Sequence, residues 1–130
     1  MIRCKRVYEP VAAEDGQRVL VDRLWPRGCK KESLALDAWL KEVAPSDELR
    51  KGFCHDPALF DEFRLLYRGE LAGHPERWQG LLAMAERGTL TLLFAAREER
   101  FNNAQVLAEF LEDELERRGP PSSPVCYADQ

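Results

Sequence analysis

The loop at residues 22–28 carries the side chains in this sequence that are best suited to bind an anion. It reads Asp-Arg-Leu-Trp-Pro-Arg-Gly and directly follows a short apolar run. Arginine suits phosphate and carboxylate because its planar guanidinium donates two parallel hydrogen bonds. Arg23 and Arg27 are therefore the predicted anion clamp, and Trp25 offers a ring for stacking. The structural alternative is an Asp–Arg pair that fixes the loop, with Trp25 in the core.

A second polar segment, residues 95–104, also follows an apolar run and precedes a predicted helix. It contains Arg97 and Asn103. Asn103 is predicted to cap the helix, and the alternative is that the N–H groups at the helix start face an anion. If the two preceding strands are parallel neighbours, both loops meet at the carboxyl edge of the sheet, where ligands of α/β proteins bind. That meeting would form one pocket.

His55 is the predicted acid–base group, because histidine titrates near neutral pH. It belongs to the segment Cys-His-Asp-Pro at residues 54–57. Asp22 or Asp56 would orient it, although Asp56 is also placed to cap the following helix. The alternative is an imidazole that only holds the turn. Cys54 is not expected to be a nucleophile, because adjacent side chains usually diverge in direction.

Three further side chains complete the predicted site. Arg6 and Arg64 would support the anion, and Tyr67 would supply a second stacking face. Arg64 and Arg68 share one helix face, where like charges repel unless an anion or a carboxylate lies between them. Acidic residues on the same helix offer a structural alternative, and the acidic run at residues 109–116 is predicted to be a solvated helix face.

Composition indicates one globular domain without a membrane segment. Hydrophobic residues make up 45% and charged residues 32% of 130 residues, enough for a single core. No apolar run approaches membrane-spanning or signal-peptide length, so cytoplasmic localisation is expected. Four scattered cysteines and two histidines predict reduced thiols and no metal site, and no cofactor is expected. The oligomeric state is not predicted.

The net charge of −4 is unevenly distributed. Residues 1–31 contain eight Lys and Arg against four Asp and Glu, and the rest of the chain is acidic. An acidic body argues against broad nucleic-acid coating and is compatible with one local basic pocket. Two alternatives remain open at this point. One is a nucleic-acid-binding or regulatory module that uses the basic first third, and the other is a protein-interaction domain.

The apolar periodicity predicts a single three-layer α/β domain at residues 1–118, followed by a C-terminal tail at 119–130. Its small, mostly parallel sheet would contain strands at 2–8, 18–21 and 89–95, the last of them central. About five helices would flank the sheet. Ser33 would cap the first, with Leu34, Leu36, Trp39, Leu40 and Val43 inward, and Ser46 would cap the second, at 47–53. Asp56-Pro57 would begin the third, with Leu59, Phe60, Phe63, Leu66 and Tyr67 in its stripe, His74-Pro75 would begin a fourth that ends at Gly88, and the fifth would span 103–118.

Four segments, VDRLWPRG, CHDP, FDEFRLLYRGEL and TLLFAAREERFNNA, in this order and spacing, resemble the YeaO-like family, domain of unknown function 488. The resemblance begins at KRVYEP and runs to the last predicted helix. It implies a small α/β protein of bacterial or archaeal type and no particular reaction. The family pattern falls on Lys5, Arg6, Tyr8, Asp22, Arg23, Trp25, Pro26, Arg27, Gly28, His55, Asp56, Pro57, Phe63, Arg64, Tyr67, Ala95, Ala96 and Asn103.

Two departures from the family pattern weaken a two-histidine metal or acid–base scheme. Phe53-Cys54 stands where the resemblance implies an aromatic-Gly-His run, and Phe101 stands where it implies histidine. No winged-helix pattern or basic recognition helix supports a transcriptional role. The sequence therefore predicts a pocket for a small phosphorylated or carboxylated molecule, nucleotides included, and leaves open whether the protein is an enzyme.

Overall fold

Within residues 1–53 and 56–118, the part of the chain that the computed structural model describes, four parallel strands form one sheet in the order β1-β4-β2-β3. Leu90 lies opposite both Ile2 and Gln17, and Leu20 lies opposite both Leu93 and Trp39. All five residues of β4 are buried, which confirms the predicted central strand. The strands are β1 Ile2–Arg6, β2 Gln17–Leu20, β3 Ala38–Trp39 and β4 Leu90–Phe94.

Helices connect the strands and confirm the predicted single α/β domain. Ser46 Oγ accepts a hydrogen bond from the Leu49 N–H at 3.2 Å, and Asp56 Oδ1 accepts one from the Ala58 N–H at 3.0 Å, so both predicted caps are confirmed. The α-helices are α1 Lys31–Leu34, α2 Asp47–Phe53, α3 Phe60–Ala72, α4 Gln79–Arg87 and α5 Asn103–Arg118. Single 3-10 turns span Ala13–Asp15, Lys41–Val43, Pro57–Leu59 and Pro75–Arg77.

The two faces of the sheet are covered unequally. On one face, α2 to α5 pack against Val19, Val21 and Leu92 in the larger core. On the other face, the short α1 and the adjoining loops cover a smaller cluster around Leu20 and Leu93. The three layers are therefore present, but one outer layer consists mostly of loops.

The helix predicted from Ser33 to Val43 is wrong. The chain leaves α1 at Ala35, whose backbone is left-handed with φ 47° and ψ 51°, and then pairs with β2 as β3. The Asp37 N–H donates to the Arg18 carbonyl at 2.7 Å, and the Asp37 carboxylate accepts from the Arg18 N–H at the same distance. These bonds add β3 to the edge of the sheet. The apolar residues that fit a helical spacing therefore lie in other elements, and Trp39 packs against the smaller core from β3.

Two other predictions need correction. The first strand ends at Arg6 rather than at Tyr8, because the Glu9 N–H turns back to the Arg6 carbonyl. In α3 the buried positions are Phe63, Tyr67 and Leu71, each one turn from the next. Two predicted members of that stripe are exposed instead, Leu59 by 40% and Leu66 by 51%.

The start of β2 depends on a turn and a buried ion pair. Gly16 has φ 64°, and a Cβ atom there would lie 2.3 Å from the Thr89 carbonyl oxygen, so the turn requires glycine. Next to it, Asp15 and Arg18 are both buried and form an ion pair.

Among the described residues, no helix combines the length and the apolar character needed to cross a membrane. The predicted tail lies outside the described residues.

Candidate functional site

The carboxyl edge of the sheet contains a cavity of about 310 Å³. It forms because β2 and β4 are parallel neighbours, which confirms the condition predicted for the meeting of the two polar loops. We call it the arginine cavity, since Arg23, Arg27 and Arg50 all line it. Its other lining residues are Tyr8, Asp22, Leu24, Trp25, Pro26, Ala44, Pro45, Phe53, Phe63, Ala95, Ala96 and Asn103.

Asp22 links three elements at this edge. Its Oδ2 accepts a hydrogen bond from the Ala95 N–H at 2.9 Å, and its Oδ1 accepts one from the Asn103 side-chain amide at 3.1 Å. Its carbonyl accepts from the Trp39 indole N–H at 2.8 Å. The carboxylate thus fastens the ends of β2 and β4 to the start of α5.

Asn102, not Asn103, caps α5. The Asn102 Oδ1 accepts from the Gln105 N–H at 3.0 Å, and its amide donates to the Glu98 carbonyl at 2.7 Å. The Asn103 amide is turned toward β2, where it also donates to the Val21 carbonyl at 3.3 Å. The predicted capping role of Asn103 is therefore wrong. Asn103 is the first residue of α5, and the buried Asn102 before it accepts the capping hydrogen bond.

Arg23 and Arg50, which both line the arginine cavity, share the carboxylate of Asp47. Arg50 Nη2 donates to Asp47 Oδ1 at 3.0 Å, and Arg23 Nε lies 3.7 Å from the same oxygen. The Arg50 hydrogen bond, with help from Arg23 and Lys51, lowers the pKa of Asp47 from its ordinary value. Nε atoms of Arg23 and Arg50 are buried and donate no hydrogen bond within the described part of the chain. Arg50 was missed by the sequence reasoning, which assigned it only to a short helix.

The remaining loop residues divide into exposed and structural groups. The Arg27 side chain is exposed and lines the cavity, while its carbonyl accepts from the Tyr8 hydroxyl at 3.0 Å. Trp25 lines the cavity too, but its indole N–H donates to the Cys29 carbonyl at 2.9 Å and its ring packs edge-on against Trp39 at 5.2 Å. The contacts of Trp25 thus fit the structural alternative.

Two phenylalanines form an apolar wall of the cavity. The Phe53 and Phe63 rings stack at 4.3 Å with an interplanar angle of 20°, and both are buried. Neither was predicted to line a site from the residues themselves. Phe53 ends α2 and Phe63 lies in the first turn of α3, so the wall appears only when the two helices pack together.

Four predicted site residues do not line the arginine cavity. Arg6 donates to the Ala96 carbonyl at 2.9 Å, and Arg97 is exposed without lining the cavity. Arg64 donates two hydrogen bonds to Glu109 of α5, and Tyr67 is only 1% exposed. The structure therefore does not bring these four side chains into the lining of the arginine cavity, and His55 lies outside the described residues.

An ion-pair network between α3 and α5 explains the two arginines at helical spacing. Besides the Arg64–Glu109 pair, Arg68 Nη2 donates to Asp113 Oδ2 at 2.7 Å. The Arg64 hydrogen bond lowers the pKa of Glu109. The carboxylates that separate the two guanidinium groups come from α5, so the prediction of a merely solvated acidic face is wrong for these positions.

Potential metal-binding side chains and thiols are scattered over the described part of the chain. Within residues 1–53 and 56–118, no three His, Cys, Asp or Glu side chains are clustered to hold a metal ion. Cys4 and Cys29 are free thiols. Burial, with a smaller contribution from Glu112, raises the pKa of Cys4 to about 12, and its Sγ donates to the Ala104 carbonyl at 3.4 Å. Cys4 is thus a thiol held neutral in the core.

Tyr67→Phe is expected to lower the free energy of unfolding by about 1–2 kcal/mol without changing the arginine cavity. The buried hydroxyl donates to the Val43 carbonyl at 2.5 Å, and burial raises its pKa, so the donor proton is always present. Urea unfolding measures the loss. Tyr8→Phe is the matched control, since Tyr8 is 47% exposed and should change stability by less than about 0.5 kcal/mol. Unchanged stability of the Tyr67 variant would contradict a structural role.

A family model described as "Inactive DUF488-N3 subclade" matches residues 1–128. The chain belongs to the YeaO-like DUF488 family. The uncharacterized protein YeaO of Escherichia coli (strain K12) is 50% identical over 110 residues, which cover 85% of this chain and 96% of that protein. The uncharacterized protein Rv3073c of Mycobacterium tuberculosis (strain ATCC 25618 / H37Rv) is 42% identical over 110 residues, covering 85% and 92%. No solved structure matches.

The match confirms the resemblance drawn from the sequence and leaves the activity of this YeaO-like DUF488 chain open. The names of these relatives assign no ligand and no reaction. Any function must therefore be argued from the arginine cavity itself.

Proposed function

We propose that the chain is a non-catalytic binding protein for a small anionic ligand that also has an aromatic or apolar part. The observation that carries the proposal is the charge of the arginine cavity. Three arginines line it, against one acidic side chain among the described residues, Asp22. Both Asp22 carboxylate oxygens already accept hydrogen bonds, one from the Ala95 N–H and one from the Asn103 amide, so this carboxylate is held by the fold.

The arginines have donors left for a ligand. Arg27 is exposed and forms no side-chain hydrogen bond or ion pair within the described residues. Arg23 Nη2 donates to the Ala44 and Pro45 carbonyls at 3.4 Å, and Arg50 Nη2 donates to Asp47 Oδ1 at 3.0 Å. Their Nε atoms are buried, so the Nη1 atoms are the donors that these two arginines keep for a ligand. A phosphate or carboxylate is suited to this arrangement, because guanidinium groups bind such oxygens in pairs. Asp47, which contacts both Arg23 and Arg50, would share these two guanidinium groups with the ligand or lose its contacts with them.

Size and lining restrict the ligand further. A volume of about 310 Å³ lies at the small end of the range for small-molecule sites. The stacked Phe53 and Phe63 rings favour an aromatic or apolar group beside the anion. Nucleoside monophosphates and aromatic carboxylic acids combine both features, and they are the proposed ligand classes, as metabolites of the predicted cytoplasmic location.

A binding role is supported over catalysis. Asp22, the predicted partner of a catalytic histidine, is engaged by three elements of the fold. The sequence has Phe101 where the family pattern implies a histidine. The description of the matching subclade as inactive agrees with this view. An acid–base role for His55 stays a prediction.

Small anions are favoured over nucleic acid as the partner. Several cations of the basic first third are already paired, since Lys5 and Arg18 both contact Asp15. Arg6 donates to the carbonyls of Ala95 and Ala96. Few of these charges are therefore left to neutralise phosphates along a polymer.

Thermal denaturation with AMP, benzoate and inorganic phosphate tests the proposal. A ligand at about a hundredfold its dissociation constant adds about 2.7 kcal/mol of stability, which raises the midpoint by about ten degrees. Arg27→Ala and Arg50→Ala are each expected to weaken binding about tenfold, because each removes a charge-assisted donor. Arg97→Ala is the matched control: it removes an exposed arginine outside the cavity and should leave the shift unchanged.

Three outcomes would contradict this function. One is the absence of a shift with all three compounds, and another is an equal loss of binding in the Arg97 variant. The third is preferential binding of an oligonucleotide with a steep salt dependence, which would favour the nucleic-acid module. Arg27→Lys refines a positive result, because lysine keeps the charge but loses the paired donors.

A further inference from the structure

A second opening, of about 460 Å³, lies between α2 and α3. We call it the acidic groove. The stacked Phe53 and Phe63 rings line both this groove and the arginine cavity. The other lining residues that matter here are Glu48, Leu49, Leu59, Glu62, Leu66 and Glu70.

The rim of the acidic groove is apolar and exposed. Leu59 is 40% exposed and Leu66 is 51% exposed, although both fit the helical spacing of the buried side of α3. Leu49 lines the groove from α2 and is packed against the core. Apolar side chains from two helices thus line a trough that no described part of the chain fills, a feature typical of a partner site.

The charge of the groove selects the partner. Glu48, Glu62 and Glu70 line it, and no lysine or arginine does so within the described residues. Glu70 is held in place, because its two oxygens accept from the Ser46 N–H at 3.0 Å and the Ser46 hydroxyl at 2.6 Å. Glu48 and Glu62 are exposed and form no ion pair with described residues.

The cations of α3 do not neutralise this charge, because they face α5. Arg64 is paired with Glu109, and Arg68 is paired with Asp113. The groove side of α3 therefore carries Glu62, Phe63, Leu66 and Glu70, and no cation among the described residues.

We propose that the acidic groove binds a basic amphipathic helix of a partner protein. Leucine-like side chains on one face of that helix would pack against Leu59 and Leu66, and lysines or arginines beside them would meet Glu48 and Glu62. A second copy of this chain is a poorer occupant. A two-fold interface through the groove would bring the same carboxylates of both copies together. The proposal does not depend on the anionic ligand of the arginine cavity.

Fluorescence anisotropy with a labelled synthetic peptide tests this inference on the full chain. The probe is a helix-forming peptide of leucine and lysine with the leucines on one face, and its counterpart has glutamate in place of lysine. The lysine peptide is expected to bind, and the glutamate peptide to bind at least about tenfold more weakly. Leu66→Ser should weaken binding of the lysine peptide about tenfold or more, since a buried leucine contact is lost.

Matched controls separate the groove from general attraction to an acidic protein. Leu65→Ser changes a neighbour that is 70% exposed and outside the groove, so binding should be retained. Glu62→Gln should weaken binding, whereas Asp61→Asn, one residue away and outside the groove, should not. Equal losses within either pair would overturn the proposal, as would equal binding of both peptides. A wild-type dimer in sedimentation equilibrium that Leu66→Ser dissociates would also overturn it, in favour of self-association.

Discussion

Replacing Asp15 with asparagine is expected to lower the free energy of unfolding by about 3–5 kcal/mol, because it removes one partner of a buried ion pair. Asp15 is 1% exposed and Arg18 is 3% exposed. The carboxylate lies 2.5 Å from Arg18 Nη1 and 3.0 Å from Lys5 Nζ. A neutral amide would leave the Arg18 guanidinium charged and without a counter-ion in the core.

The same carboxylate should make stability depend on acid pH. Burial raises the pKa of Asp15, but the Ala12 N–H, Lys5 and Arg18 together lower it by more, so the net pKa lies below its ordinary value. A group with a depressed folded pKa stabilises the protein above its unfolded pKa, about 3.9 for aspartate. This contribution is lost as the pH falls through the lower folded value. The asparagine variant should lack this part of the acid dependence.

Urea unfolding at neutral and acid pH measures both effects. Glu14→Gln is the matched control, because it removes an exposed carboxylate from the adjacent position and should change stability by less than about 0.5 kcal/mol. A loss of less than about 1 kcal/mol in the Asp15 variant would mean that Arg18 finds another partner or reaches water. The ion pair would then not be what fixes the start of β2.

Some features of the fold that depend on local chemistry were predicted correctly, whereas the caps predicted at Ser33 and Asn103 were not. The caps at Ser46 and Asp56 each bond to an N–H two or three residues away, so the necessary partner is visible in the sequence. The apolar run of β4 likewise indicated a central strand, since every side chain in it had to be buried. Because β4 is central and pairs in parallel with β2, the two polar loops that follow these strands meet at the carboxyl edge of the sheet.

Features that depend on distant partners were not predictable in this way. The apolar residues at 34–43 suit a helix as well as any observed element, and pairing of Trp39 with Leu20 of β2 decides against it. Arg64 has a suitable side chain for an anion, but its partner Glu109 lies 45 residues away. Arg50 enters the candidate site only because α2 packs beside the loop of Arg23.

Asp22→Asn separates a structural role from a catalytic one at the carboxyl edge of the sheet. We expect the free energy of unfolding to fall by about 2–3 kcal/mol, since hydrogen bonds to a charged group are lost. An asparagine side chain offers one acceptor and one donor group, whereas Asp22 faces two donors, the Ala95 N–H and the Asn103 amide. One of these donors would therefore face the new amide group.

Two comparisons show whether this loss comes from the link itself. Asp56→Asn is the control for the same chemical change, because asparagine caps a helix about as well as aspartate does. A double-mutant cycle of Asp22→Asn with Asn103→Ala should give a coupling of about 0.5–3 kcal/mol. Additive losses would mean that Asp22 and Asn103 do not act together.

Anion binding gives the second readout of the Asp22→Asn variant. If the carboxylate serves the fold, the affinity for AMP or inorganic phosphate should be retained or raised, because one negative charge leaves the arginine cavity. Calorimetric titration of the folded variant measures it. Unchanged stability together with lost anion binding would show that Asp22 contacts the ligand, and the structural link would then be rejected. Lower stability with retained binding would assign the carboxylate to the architecture and leave recognition to the arginines.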